Sequence, residues 1–128
     1  MQVGEAEDEV NLPGILFGDV WLCSGQSNME QKLRDIEEPE REIAESVGDF
    51  GVRFMDLARK ESEYEVDESE DVPLAVSWSQ PSDQAQLANM SAICFLTGRW
   101  WYRTLGIPIG LIAATWGGTE IEAWMNRW

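Results

Sequence analysis

The feature that most constrains the fold is the apolar run Ile107 to Thr115, IPIGLIAAT. It has no polar–apolar alternation, so neither face is suited to water. Such a run builds a strand covered on both sides, and strands of that kind belong to parallel sheets. Upstream, Met90, Ile93, Cys94, Thr97 and Trp101 recur at helical spacing, which predicts a helix over Leu87 to Leu105, stopped by Gly106-Ile107-Pro108. Ile15 to Cys23 (ILFGDVWLC) is a second apolar run and ends in the turn sequence SGQSN. Val52 to Ala58 and Ala75 to Trp78 are further strand candidates, and Asn28 to about Val47 favours helix, interrupted near Pro39. Gly117-Gly118 closes the apolar run, and Thr119-Glu120-Ile121-Glu122 matches a capping box opening one more helix.

Strand, helix and strand in this order predict an α/β fold, a parallel sheet with helices on both sides. The helix over Leu87 to Leu105 is the expected crossover that lets Ile107 to Thr115 run parallel to Phe17 to Cys23. If the sheet stops at that strand, Ile109 to Ala113 forms an exposed edge. The 128 residues are 44% apolar, enough for the core of one modest domain or part of a larger one.

Charge divides the chain. The net charge is −15, and residues 1–71 hold 21 of the 24 acidic side chains but only 6 of the 9 basic ones. Residues 1–11 read as an acidic tail, and residues 12–128 as the domain, with an acidic exposed loop near 60–72. So acidic a surface disfavours nucleic acid. No apolar stretch approaches the length of a membrane helix, and MQVGEAEDEV shows no signal-peptide pattern. EF-hand spacing is absent.

The chain contains no histidine. A complete Ser-His-Asp triad, a His-paired cysteine protease and a His-ligated metal site are therefore impossible within it. Cys23 and Cys94 are too few for a disulfide framework or a four-ligand zinc site. Their preferred reading is as small buried apolar residues, with one disulfide between them as the minority alternative.

Two loops run from a strand end into a helix start: Ser24-Gly25-Gln26-Ser27-Asn28 and Trp116-Gly117-Gly118-Thr119. In parallel sheets, chemistry collects at such carboxyl ends. Ser27-Asn28-Met29-Glu30 fits a capping box, which makes Ser27 a helix cap. It also suits a nucleophile on a tight turn, with the Ser27 N–H and the helix start favouring a developing oxyanion. Position 29 is Met, so this is not the G-x-S-x-G elbow. The second loop is either a plain turn or a place where Gly117 or Gly118 offers a backbone N–H to the same cleft. Trp21 and Trp116 adjoin these loops as cleft candidates, whereas Trp100 and Trp101 fall in the packed helix, where burial is the expectation.

Taken together, GDVWLCSGQSNM, IPIGLI and WGGTEIEAW resemble the sialate O-acetylesterases of the SGNH (GDSL-like) esterase superfamily, from about Leu16 to Trp128. The resemblance implies a flavodoxin-like three-layer α/β/α fold and metal-free, cofactor-free hydrolysis of O-acetyl groups on sialic acids or related acetylated sugars. It implies a lysosomal or secreted protein. It makes Ser27 the nucleophile, places Gln26 where the GDS form has Asp, and sets Gly117 and Gly118 beside the site as oxyanion donors along with Ser27; Asn28 is a polar neighbour without an assigned role. The family's base is a His in a downstream D-x-x-H block that this chain lacks. The expectation is thus a domain incomplete at its C-terminus, inactive alone, whose partner is the missing C-terminal half. The alternative is a catalytically inactive acidic fragment or interaction module derived from such an esterase.

Overall fold

A computed structural model of the chain describes residues 13–61 and 73–125. The acidic tail, most of the acidic loop and the last three residues lie outside the described residues. The elements are β1 (Asp19–Gly25), α1 (Ser27–Glu30), α2 (Pro39–Ser46), β2 (Val52–Leu57), β3 (Leu74–Ser79), α3 (Gln84–Ala88), α4 (Ala92–Leu105) and β4 (Ile109–Thr115), with 3₁₀ turns at Leu33–Asp35 and Ile121–Trp124.

The four strands form one mostly parallel sheet in the order β1-β4-β2-β3. β4 pairs in parallel with both neighbours: Asp19 lies opposite Ile109 and Gly25 opposite Thr115 on one side, and Val52 lies opposite Ile109 on the other. The apolar run is therefore the second strand of the sheet rather than the expected edge. Its two sequence-distant neighbours pair its backbone along both sides. β3 departs from the all-parallel expectation and runs antiparallel to β2.

Alternate residues of β4, Ile109, Leu111 and Ala113, are buried against α4, together with Val52 and Phe54 of β2. Phe54 meets Phe95 edge to face at 6.2 Å. Gly98 lets α4 approach closely, because a Cβ there would stand 2.6 Å from a Leu111 methyl. α2 is tied to the same helix by Arg99, which bonds the Glu42 carboxylate and the buried Ser46 hydroxyl, and by Arg103 on Asp49 at 2.9 Å. On the opposite face of the sheet Val20 and Leu22 are 63% and 64% exposed, so the described residues supply two layers there rather than three.

The predicted helix over Leu87 to Leu105 is two helices. Ser91 caps α4 by accepting the Cys94 N–H, and the segment before it pairs with the strand-like link after α1. The bonds are Leu33 N–H to Met90 O at 2.9 Å and Ala92 N–H to Gln31 O at 2.8 Å. Likewise the helix expected from Asn28 to Val47 is broken into α1, a 3₁₀ turn and α2, which opens at Pro39 behind Glu38 in a left-handed conformation. Trp100 is 62% exposed rather than buried, while Trp101 stacks on Trp21 with ring centroids 4.5 Å apart.

Cys23 and Cys94 form a disulfide, which corrects the preferred reading of both as small buried apolar residues in favour of its minority alternative. The bridge joins the end of β1 to the first turn of α4 across 71 positions, so the strand leading to Ser27 is stapled to the core helix.

Candidate active site

β1 delivers the chain to its carboxyl end through Gly25, whose φ of +136° lies in the region that favours glycine. A Cβ there would also meet the Met29 side chain at 2.9 Å. The turn sets Ser27 at the first position of α1, a single four-residue turn. Ser27 is not the cap. Gln26 is: its side-chain oxygen accepts the Ser27 N–H at 2.8 Å and also the Ser27 hydroxyl. Gln26, Ser27 and Asn28 are all exposed, so the hydroxyl stands at an open surface.

β4 ends beside this turn. The Trp116 N–H donates to Gly25 O at 3.0 Å, which stitches the two loops by their backbones. A Cβ on Gly117 would stand 3.6 Å from the Ser27 Cα. Gly118 has φ +82° and is exposed, and its N–H has no acceptor among the described residues. The loops that the sequence marks for chemistry thus share one edge of the sheet, as strands of parallel neighbours require.

Two side chains that sequence reasoning left out complete the cluster. Glu30, at the end of α1, accepts the Gly117 N–H at 2.6 Å. Its other oxygen pairs with Arg59, which follows β2 at the same sheet edge. The Arg59 guanidinium lies over the Trp116 ring, 5.5 Å from its centroid. In the capping-box pattern Glu30 reaches back to its own helix start; here it reaches across to the neighbouring strand end. Nothing in the local pattern signals that, because the partner is 87 positions away.

The remaining candidates divide. Trp116 is half-buried under Arg59 at the site. Trp21 is committed to Trp101, four residues before Gly25 on β1, which separates it from the loop by about 13 Å of strand. The second capping box does not form: the Thr119 hydroxyl donates to Trp116 O and accepts the Trp124 indole N–H, both at 2.8 Å, and the segment that follows is a 3₁₀ turn. Among the described residues no cluster of three His, Cys, Asp or Glu could hold a metal ion. None of their helices is long and apolar enough to cross a membrane.

No protein-family model matches the chain. Individual proteins do. The mouse sialate O-acetylesterase is 43% identical over 117 residues, covering 88% of this chain and 21% of its own length. The human sialate O-acetylesterase is 44% identical over 116 residues, covering 88% of this chain and 22% of its own. The crystal structure of a carbohydrate acetylesterase from Xanthomonas citri superposes with a TM-score of 0.73 at 28% identity, over 85% of this chain and 24% of that one. The chain spans about a fifth of the length of the curated relatives it matches. Over 88% of its own length, then, the chain is homologous to a stretch of the sialate O-acetylesterases.

Proposed function

We propose that this chain carries the nucleophile of a metal-independent O-acetyl ester hydrolase, with Ser27 attacking the acetyl carbonyl of an O-acetylated sialic acid. The observation that supports this most is the meeting of two backbones. Gly117 lies against Ser27, and Trp116 is bonded to Gly25, so one acyl group can touch both loops.

In this reading the Ser27 oxygen adds to the carbonyl carbon, and the carbonyl oxygen becomes an oxyanion. Backbone N–H groups of Ser27 and Gly118 are its donors. The Gly117 N–H is engaged by Glu30, so Gly118 takes the place that Gly117 shared with it on the sequence reading. The Gln26 side chain, which accepts both the Ser27 hydroxyl and its N–H, holds the serine while no acyl group is bound and turns aside when one enters. Collapse of the intermediate expels the sugar hydroxyl and leaves acetyl-Ser27, which water then hydrolyses.

An alcohol needs a base to attack at neutral pH. The chain has no histidine, so the base comes from elsewhere in the full-length protein. The disulfide supports residence in an oxidising compartment, in keeping with a secreted or lysosomal enzyme.

The test is release of acetate from O-acetylated sialic acid by the protein at its natural length. Hydrolysis lost in Ser27→Ala supports the proposal, and no hydrolysis by the wild-type protein favours an inactive interaction module instead. The 128-residue chain alone is expected to show no turnover above background, since base assistance contributes about 10² to 10⁴ in rate.

A further inference from the structure

Glu30 is the charged group closest in partnership to the site that the serine chemistry leaves unused. One oxygen holds a backbone N–H of the loop after β4, and the other holds Arg59 of the loop after β2. Glu30 itself ends the turn that begins with Ser27. It thereby joins the carboxyl ends of three adjacent strands, β1, β4 and β2, at one point. Its side chain is 23% exposed, so it sits inside the junction of the loops and not out in solvent.

We propose that Glu30 is a positioning residue for acyl transfer, and that Arg59 neutralises it. The proposal rests on the esterase reading and adds a part to it. Acceptance of the Gly117 N–H anchors the Trp116–Gly117 peptide, and in this proposal that anchor sets where the next N–H along the loop, that of Gly118, can lie. A misplacement of about 1 Å in such a donor is enough to lower a rate by about 10²-fold. A carboxylate this near Ser27 also creates a difficulty, because negative charge develops on the substrate oxygen in the transition state. An unpaired Glu30 opposes that charge. The Arg59 guanidinium removes the opposition, and stacking on Trp116 keeps it in place.

Two effects are therefore combined at one side chain, an acceptor for Gly117 and a charge that needs its partner. Substitution separates them. Glu30→Ala removes both. Glu30→Gln keeps an acceptor oxygen and loses the charge. Arg59→Met leaves the charge uncompensated.

The experiment measures kcat and KM for acetyl ester hydrolysis in the natural-length protein. Glu30→Ala is expected to lower kcat at least tenfold with KM within about threefold, and Glu30→Gln to recover most of that loss. Arg59→Met is expected to lower kcat about tenfold, and adding Glu30→Gln to it to restore activity, so that the double variant exceeds the single one. A structural ion pair gives the opposite order, with the double variant no better than Arg59→Met. Hydrogen exchange over residues 116–118 gives a readout that needs no turnover: exchange quickens at least tenfold in Glu30→Ala and less in Glu30→Gln. Unchanged kcat and unchanged exchange in Glu30→Ala overturn the proposal while leaving a Ser27-dependent activity intact. Absence of activity in the wild-type protein overturns the esterase reading, and the exchange experiment still decides whether Glu30 holds the loop.

Discussion

Ser27 and Gly117 stand about ninety positions apart in sequence, yet a Cβ on Gly117 would lie 3.6 Å from the Ser27 Cα. Their closeness follows from the parallel pairing of β1 with β4 in the register Gly25 to Thr115, which brings the residues after each strand to one edge. At that distance a Cβ would make only ordinary van der Waals contact with Ser27, so the approach of the two loops does not itself require a glycine. A Cβ on Gly117 would instead run into the Glu30 carboxylate.

Gly117→Ala is therefore expected to act on the site more than on the fold. The added methyl meets the far end of a flexible side chain, so Glu30 swings away and the Gly117 N–H loses its acceptor. Stability should fall by about 1–2 kcal/mol, the scale of one buried group left unsatisfied. Hydrolysis should fall by about 10²-fold, the loss typical of a displaced oxyanion donor. Steady-state kinetics and a denaturation midpoint measured on the same preparation check both halves.

Removal of the Cys23–Cys94 bridge tests a different link. The disulfide closes a span of 71 positions, for which the chain-entropy account gives about 4 kcal/mol of stabilisation. Cys94 is buried beneath the sheet, so Cys94→Ala keeps the site apolar and isolates the cross-link. Urea denaturation of the oxidised and reduced wild-type protein and of the Cys23→Ala/Cys94→Ala variant should place the last two together, well below the first. Reduction should also loosen the β1 end and lower activity before global unfolding is reached.

The approach of α4 to the sheet rests on Gly98. A methyl at this position would stand 2.6 and 2.7 Å from the two Leu111 methyl groups, both buried. Gly98→Ala gains helix propensity of about 1 kcal/mol and loses more to overpacking, about 1–3 kcal/mol. The expected outcome is a lower urea midpoint. A midpoint equal to or above that of the wild type would show that α4 can rise off the sheet freely.

Much of this arrangement is legible in the sequence, for definite reasons. The unbroken apolar run of β4 predicts a strand covered on both faces; among the described residues α4 covers one of them, and the other carries the exposed Val20 and Leu22 of β1. The glycines at 25, 117 and 118 report turns at strand ends. Those signals are local, and the chain order alone then places the two loops on one edge. What the sequence conceals is decided by partners far along the chain. The break in the predicted helix at Ser91 comes from pairing with Lys32, 59 positions earlier. Both capping boxes fail through competition: Gln26 takes the Ser27 N–H, Glu30 goes to Gly117, and the Thr119 hydroxyl goes to Trp116 and Trp124. Cys23 and Cys94 become neighbours only once α4 lies across β1, and Arg59 joins the site only once β2 is seen beside β4.

The central claim, that Ser27 is the nucleophile, is tested most directly by active-site labelling. The natural-length protein is treated with a fluorophosphonate, which reacts with an activated serine oxygen, and the modified peptide is located by mass spectrometry. The account predicts one adduct per active molecule, carried by Ser27 and formed in step with loss of acetyl ester hydrolysis, and none in Ser27→Ala. Hydrolysis that persists in Ser27→Ala, or inactivation accompanied by an adduct at another residue, would contradict it.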